Sequence, residues 1–521
     1  MGVLAVACSI AVAGSAASAS RGAVTAQQRA QAAHTALHAP DHVAVHPDPP
    51  PGSATEQQPS ASSTESKQPL GVTTKRGAGR SAATPNAKSR PAAAARWRAG
   101  AEILPFENVE GILLIDATLS GGGHDTTGAF ALDTGAGYMA LDADLARILE
   151  IGPATASSAS IGTADKPLER LRIGHMQFDQ VEPVLTIDAG IVRQVTERPV
   201  LGLIGAHLLA HHALVIDYRA GELGLVPVAA AADSQRVAPS PKDAARADGR
   251  DRSADERRRE AAAVGASRAS LADALHSDAV AIAFRLAGDD KLLVTARVSG
   301  RGGAMSDTLT LVLDTGATKT ALFAHALGAK AVAFESWPSL RGLTAPTLVG
   351  SEDARLARIR RVVVGQASHT AHTSNVDVAV LDSPLERALS AEVGEPVDGL
   401  LGYSFLRRFR LVIDYPHRVL WLEPVPHTYD ERPYEYSHVG LQIERREGAL
   451  KAVGVATGSP ADLAGIDRDD EIVAIDDKRA SELDAVSASK LLEGPPGSVV
   501  QVTMRRGTNE RSYRLVRRRL L

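Results

Sequence analysis

One seven-residue stretch occurs twice in this chain, and everything else is arranged around it. The first copy is Phe130-Ala131-Leu132-Asp133-Thr134-Gly135-Ala136, and the second is Leu311-Val312-Leu313-Asp314-Thr315-Gly316-Ala317. In each, an apolar run of strand type delivers an Asp into Thr-Gly-Ala. The apolar neighbours bury the strand up to the carboxylate. The Gly permits a tight turn behind it. A lone Asp-Thr-Gly is weak, since about one chain in ten of this length holds one by accident. Here both copies share later landmarks. Leu171 to Gly174 matches Val362 to Gly365, Val200 to Gly205 matches Val397 to Gly402, and Val215 to Tyr218 matches Val412 to Tyr415. Gly205 to Asp217 and Gly402 to Asp414 are both twelve residues, whereas Asp133 to Gly205 is 72 and Asp314 to Gly402 is 88. Variable loops between fixed landmarks mark a duplicated domain built mainly of β-strands.

A chain of 521 residues exceeds one hydrophobic core and divides into several units. Residues 1–19 are small and apolar and end in Ala17-Ser18-Ala19, which reads as a signal peptide for a periplasmic or secreted protein. Ala5-Val6-Ala7-Cys8 offers the alternative of a lipoprotein anchored through Cys8. Residues 20–98, rich in Ala, Ser, Pro, Gln and Thr, are expected to be a disordered tether. The first repeat spans 103–228, a charged linker spans 229–276, and the second repeat spans 278–426. A different unit follows at 430–518, where strands at Val439–Ile443, Val453–Val455, 470–476, 499–505 and 512–516 alternate with helices. One of these opens at Ser459-Pro460, with Ser as N-cap and Pro at the first helical position.

At these residues the two repeats resemble lobes of retropepsin-like aspartic proteases. The resemblance rests on the apolar strand into Asp-Thr-Gly-Ala, the later Leu203-Ile204-Gly205 and Leu400-Leu401-Gly402, and the closing strands. It implies two β-barrel lobes in one bilobal acid-protease fold, a pseudo-dimer within a monomer. It implies that Asp133 and Asp314 are the catalytic pair. It also implies that Thr134 and Thr315 bond across the two-fold, and that Gly135 and Gly316 offer N–H groups to the carboxylates. Carboxylates held about 3 Å apart cannot both ionise cheaply and share a proton. One can then activate water while the other protonates the peptide carbonyl oxygen. Such chemistry needs no metal and no cofactor. For a covering flap, the Gly-containing Ser160 to Thr163 and Arg341 to Thr344 are the candidates.

The 430–518 unit resembles an α+β PDZ domain of the bacterial protease-associated kind. The residues that carry this are Val439-Gly440-Leu441, Gly458-Ser459-Pro460-Ala461, Ala464-Gly465-Ile466 and Asp470 to Ile475. In such domains a peptide adds as a strand, and the Val439-Gly440-Leu441 loop would capture its terminal carboxylate. Expected partners are therefore protein or peptide substrates and C-terminal tails. A net charge of −4 argues against nucleic acid, and no transmembrane helix is expected. His-Glu-x-x-His, Gly-x-Ser-x-Gly and P-loop signatures are absent from the sequence. His211-His212 and His369/His372 read as solvated surface histidines rather than metal ligands. The competing reading is a catalytically inactive peptide-binding scaffold with the same folds.

Overall fold

Each copy of the repeated stretch ends a strand that pairs in parallel with a later one. The computed structural model describes residues 101–152, 161–228, 249–300, 302–330, 332–347, 350–366, 369–425, 434 and 437–521. The signal peptide, the lipoprotein alternative, the 20–98 tether and the first part of the 229–276 linker lie outside these residues.

The first lobe contains β1 (Glu102–Pro105), β2 (Ile112–Gly121), β3 (His124–Leu132), β4 (Met139–Asp142), β5 (Leu168–Ile173) and β6 (Val184–Ile187). Helix α1 (Gly190–Thr196) follows, then β7 (Val200–Ile204), β8 (His212–Asp217) and β9 (Glu222–Pro227). Helix α2 (Gly249–Ser270) leads to the second lobe. That lobe has β10 (Val280–Ala283), β11 (Lys291–Ser299), β12 (Leu309–Leu313), β13 (Thr320–Phe323), β14 (Ser339–Thr347), β15 (Gly350–Gln366) and β16 (His369–Leu381). Helix α3 (Leu385–Val393), β17 (Gly399–Leu401), β18 (Phe409–Asp414) and β19 (Val419–Pro424) complete it.

The two lobe sheets have one plan. Strands run β2-β3-β7-β4-β6 in the first and β11-β12-β17-β13-β16 in the second. In both, the strand before Asp pairs in parallel with the Gly-containing strand, β3 with β7 and β12 with β17. Backbones meet closely there. A Cβ on Gly202 or Gly399 would lie 2.1 Å from the carbonyl oxygen of Ala140 or Ala321. On Gly205 or Gly402 it would lie 2.3 Å from that of Tyr138 or Lys319. Only glycine fits these four places, which is why the repeat keeps it.

A six-stranded sheet, β1-β9-β8-β18-β19-β10, joins the lobes. At its centre β8 and β18 run antiparallel with Val215 opposite Val412. Each lies two residues before the matching Asp217 or Asp414, so a pseudo-two-fold axis passes through that pair. The C-terminal part of the linker packs on this sheet. Ser267 Oγ donates to Asp414 Oδ2 (2.6 Å) and accepts from Trp421 Nε1 (2.9 Å), and Leu271 is fully buried. The Ala- and Arg-rich composition of 229–276 hides this docking stretch.

The C-terminal unit contains β20 (Leu441–Arg446), β21 (Ala449–Val455), α4 (Pro460–Leu463), β22 (Glu471–Ile475), α5 (Ala485–Leu492), β23 (Val499–Arg506) and β24 (Asn509–Val516). Its sheet order is β20-β21-β22-β23-β24, so β20 is an edge strand. Ser459 caps α4, accepting from Asp462 N (3.3 Å), with Pro460 in the first turn. Among the described residues no helix is long and apolar enough to cross a membrane.

Candidate active site and peptide-binding unit

Parallel pairing brings Asp133 and Asp314 to equivalent ends of the two lobes. Asp133 N donates to Ile204 O (3.0 Å) and Asp314 N to Leu401 O (3.1 Å). Both aspartates and both following threonines are fully buried. The threonines interlock across the axis. Thr134 N donates to Thr315 Oγ1 (3.0 Å), whose hydroxyl donates to Leu132 O (2.9 Å). Thr315 N donates to Thr134 Oγ1 (3.1 Å), whose hydroxyl donates to Leu313 O (3.0 Å). Each buried polar group is satisfied by the opposite lobe, so neither loop holds this geometry alone.

The carboxyl groups are held in matched fashion. Asp133 Oδ1 accepts from Gly135 N (2.8 Å) and Ala136 N (3.1 Å), and Asp314 Oδ1 accepts from Gly316 N (2.8 Å) and Ala317 N (3.0 Å). Asp133 Oδ2 has no donor when both groups are ionised. Burial, then the neighbouring Asp314 charge and the hydrogen bond a protonated Asp133 makes to Asp314, hold the Asp133 carboxyl well above the usual range. The N–H of Gly135 and the charge of Lys291 pull the other way and are outweighed. The pair thus retains one proton where isolated aspartates would have lost theirs.

The sequence gives no sign of a buried charge cluster beside this pair. Lys291 Nζ, fully buried, contacts Asp289 Oδ1 (2.7 Å) and Glu392 Oε1 (2.9 Å). Asp289 reaches across to the first lobe, where a Cβ on Gly137 would come within 2.1 Å of its carboxylate. Two carboxyls share one ammonium, so one keeps its proton. Burial first, then the hydrogen bond to Asp289, pushes Glu392 up to about 8. Its free value is 4.5, so the folded chain binds the extra proton between these values. That contribution to stability is complete below the free value and is lost as pH rises through about 8. The raised carboxyl of Asp133 acts in the same direction. Thermal melts from about pH 5 to about pH 9 are expected to show the melting temperature falling by roughly 5 °C or more, with Glu392→Gln flattening the slope. A wild-type melting temperature that rises over this range would contradict the assignment.

Other sequence readings shift. Arg341 to Thr344 lies inside β14 and is clamped against the C-terminal unit, not poised as a flap. Thr457 N donates to Arg341 O (3.0 Å), and Gly342 backs so closely onto Val455 O that a Cβ would be 2.3 Å away. The pairing of β14 with β15 continues beyond this stretch to Thr347 opposite Gly350. Of the other candidate, Ile161 to Thr163 is described and contributes a short strand against β6, while Ser160 lies outside the described residues. His211, His369 and His372 are exposed, as read from the sequence. His212 is not: it is half-buried beside Phe178, and burial lowers its pKa.

Val439, Gly440 and Leu441 are buried at the start of β20. Gly440 has φ +91°, and a Cβ there would lie 2.2 Å from Ser459 Oγ, so no side chain fits. Its N–H already donates to His438 Nδ1 (3.0 Å). Gly494 N donates to Ser437 O (3.1 Å), which sets the C-terminal end of α5 beside this loop. Within the unit, strand β20 touches both lobes. Gln442 pairs its amide with Thr344 of the second lobe, accepting from Thr344 N (2.9 Å) and donating to Thr344 O (2.7 Å). Two residues on, Glu444 accepts from Gln194 of the first lobe (3.0 Å).

Two family models match parts of this chain. Residues 294–405 match the family model described as aspartyl protease, and residues 452–506 match that of the PDZ domain. A curated relative, the carboxy-terminal processing protease CtpA of Bacillus subtilis, is 24% identical over 145 residues, 28% of this chain. The chain spans 31% of the length of that relative. Among solved structures, a photosystem II D1 C-terminal processing protease is 30% identical with a TM-score of 0.15, over 16% of this chain and 23% of that one. The aspartic proteinase from Irpex lacteus is 12% identical with a TM-score of 0.33, over 63% of this chain and 98% of that one.

Proposed function

We propose that this chain, which carries an aspartyl protease domain and a PDZ domain, is an endopeptidase working through an Asp133–Asp314 dyad. The observation that carries the reading is the reciprocal Thr134–Thr315 interlock, which ties two buried carboxyl groups from two lobes into one site. The ionised member of the pair deprotonates a water, which attacks the peptide carbonyl carbon. The protonated member gives its proton to the carbonyl oxygen as charge develops there. Collapse of the resulting diol then breaks the C–N bond, with a proton passing to the leaving amine. The PDZ unit recruits C-terminal tails of substrates or partners along β20. The N-terminal residues support export to the periplasm or outside the cell.

The pH dependence tests this assignment. Each carboxylate receives two backbone N–H bonds, and the next side chain is the methyl group of Ala136 or Ala317, with no hydroxyl to donate a third. A donor would favour the charged form, so its absence keeps the shared proton to higher pH. The rate of peptide cleavage is expected to peak from mildly acidic to near-neutral pH and fall on both sides, reporting the titrations of the pair. Ser at both Ala136 and Ala317 is expected to move the profile toward acid by up to about one unit. An unshifted profile, or a strongly acidic wild-type optimum, would assign control of these pKa values to other groups.

A further inference from the structure

Glu197 closes the C-terminus of α1 with φ 50° and ψ 35°, a left-handed conformation. Glycine is the usual residue there, because a side chain is disfavoured. The carboxylate explains the exception. Glu197 Oε1 accepts from Arg445 Nε on β20 (3.1 Å), and Oε2 accepts from Ala485 N, the first N–H of α5 (2.8 Å). Its side chain is only 13% exposed. The guanidinium of Arg445 also donates to Leu483 O, just before α5, and to Gly448 O (2.9 Å). One carboxylate from the first lobe therefore bridges β20 and α5, the two walls of the PDZ cleft. It does so at the end opposite the Val439–Leu441 loop. Beside it, Gln194, Glu197, Arg445, Leu483 and Asp484 line an open cleft of about 1190 Å³ between the first lobe and the PDZ unit.

We infer that Glu197 is a tethered ligand of the PDZ cleft, and that the cleft takes C-terminal peptides with an acidic side chain able to replace it. This rests on the reading of the unit as a peptide-binding domain. The position of the acid follows from strand geometry. A peptide antiparallel to β20 with its carboxylate at Leu441 advances ~3.4 Å per residue, which puts about its fourth or fifth residue from the end beside Arg445. An Asp or Glu there would take over the Arg445 guanidinium and the N–H of Ala485, with the helix dipole of α5 favouring the negative charge. In the intact chain Leu441 to Glu444 of β20 are buried, so the peptide must displace Glu197 and part the first lobe from β20. The closed contact weakens apparent affinity by the share of molecules in which it persists.

The Glu197→Gly variant tests the effect, because glycine keeps the left-handed backbone while the side chain and its carboxylate are removed. The probe is a fluorescein-labelled nonapeptide of Ala and Ser ending in Val, with Glu fifth from its C-terminus, beside its Gln counterpart. Full-length Glu197→Gly is expected to bind the Glu probe about tenfold more tightly than the wild type does. It should prefer the Glu probe to the Gln probe, and Arg445→Met in that background should erase the preference. Equal affinity of wild type and Glu197→Gly, or no preference for Glu over Gln, would overturn the inference while leaving a peptide-binding PDZ unit intact. Failure of every variant to bind either probe would overturn both.

Discussion

Replacing either Asp133 or Asp314 with Asn is expected to lower kcat for cleavage of an unstructured protein by a factor on the order of 10⁴ or more, and the double replacement to lower it little further. The reason lies in the shared proton. Burial and the neighbouring Asp314 raise the Asp133 carboxyl well above the usual range, so the proton belongs to the pair and neither group has an independent role to fall back on. An Asn in either place can neither accept the proton of the attacking water nor pass one to the carbonyl oxygen. The folds should persist, because Asn retains an oxygen for the N–H groups of Gly135 and Ala136, or of Gly316 and Ala317. If each single variant kept about half the activity, two separate sites would be at work. If both kept all of it, cleavage would be carried by a site other than this pair, and a wild type that cleaves nothing would leave the scaffold reading.

Gly316→Ala is expected to lower the rate strongly, though less than loss of either carboxylate, without touching a titrating group. A Cβ there would lie 2.7 Å from Asp133 Cγ, 2.8 Å from its Oδ2 and 2.9 Å from its Oδ1. Asp133 is fully buried and bonded to its own loop, so the carboxylate must shift by several tenths of an ångström. Displacements of about 1 Å at reacting groups cost about 100-fold in rate. Steady-state kinetics of Gly316→Ala should show kcat down about 100-fold, with a melting temperature lowered by only a few degrees. Full activity would mean that Asp133 does not need its position above Gly316.

The duplicated architecture was legible because its requirements are local. An apolar strand, an Asp and a Gly must be adjacent in sequence, and the close approaches at Gly202, Gly205, Gly399 and Gly402 tolerate only one residue type. The strands and the capped helix of the C-terminal unit were legible for the same reason. What escaped depends on partners far apart in the chain. Lys291 reads as a polar turn residue beside Asp289 and Asp290, and nothing near it points to Glu392 or to Gly137 across the lobes. Gln442 and Glu444 read as the outward side of an alternating strand, yet both are buried against different lobes. Arg341 to Thr344 is a flap candidate through its glycine, but Gly342 serves a close contact with the backbone of β21. At Glu197 the one available signal is the missing glycine after α1, which gains meaning only once Arg445 and Ala485 are beside it.

The most direct measurement is a calorimetric titration of the full chain with a statine-containing peptide, whose tetrahedral hydroxyl group imitates the hydrated carbonyl between two carboxyl groups. With one site assembled from two lobes, the chain should bind one equivalent, and Asp133→Asn and Asp314→Asn should each abolish binding. Two equivalents per chain, half an equivalent, or binding that survives either substitution would contradict a single shared dyad.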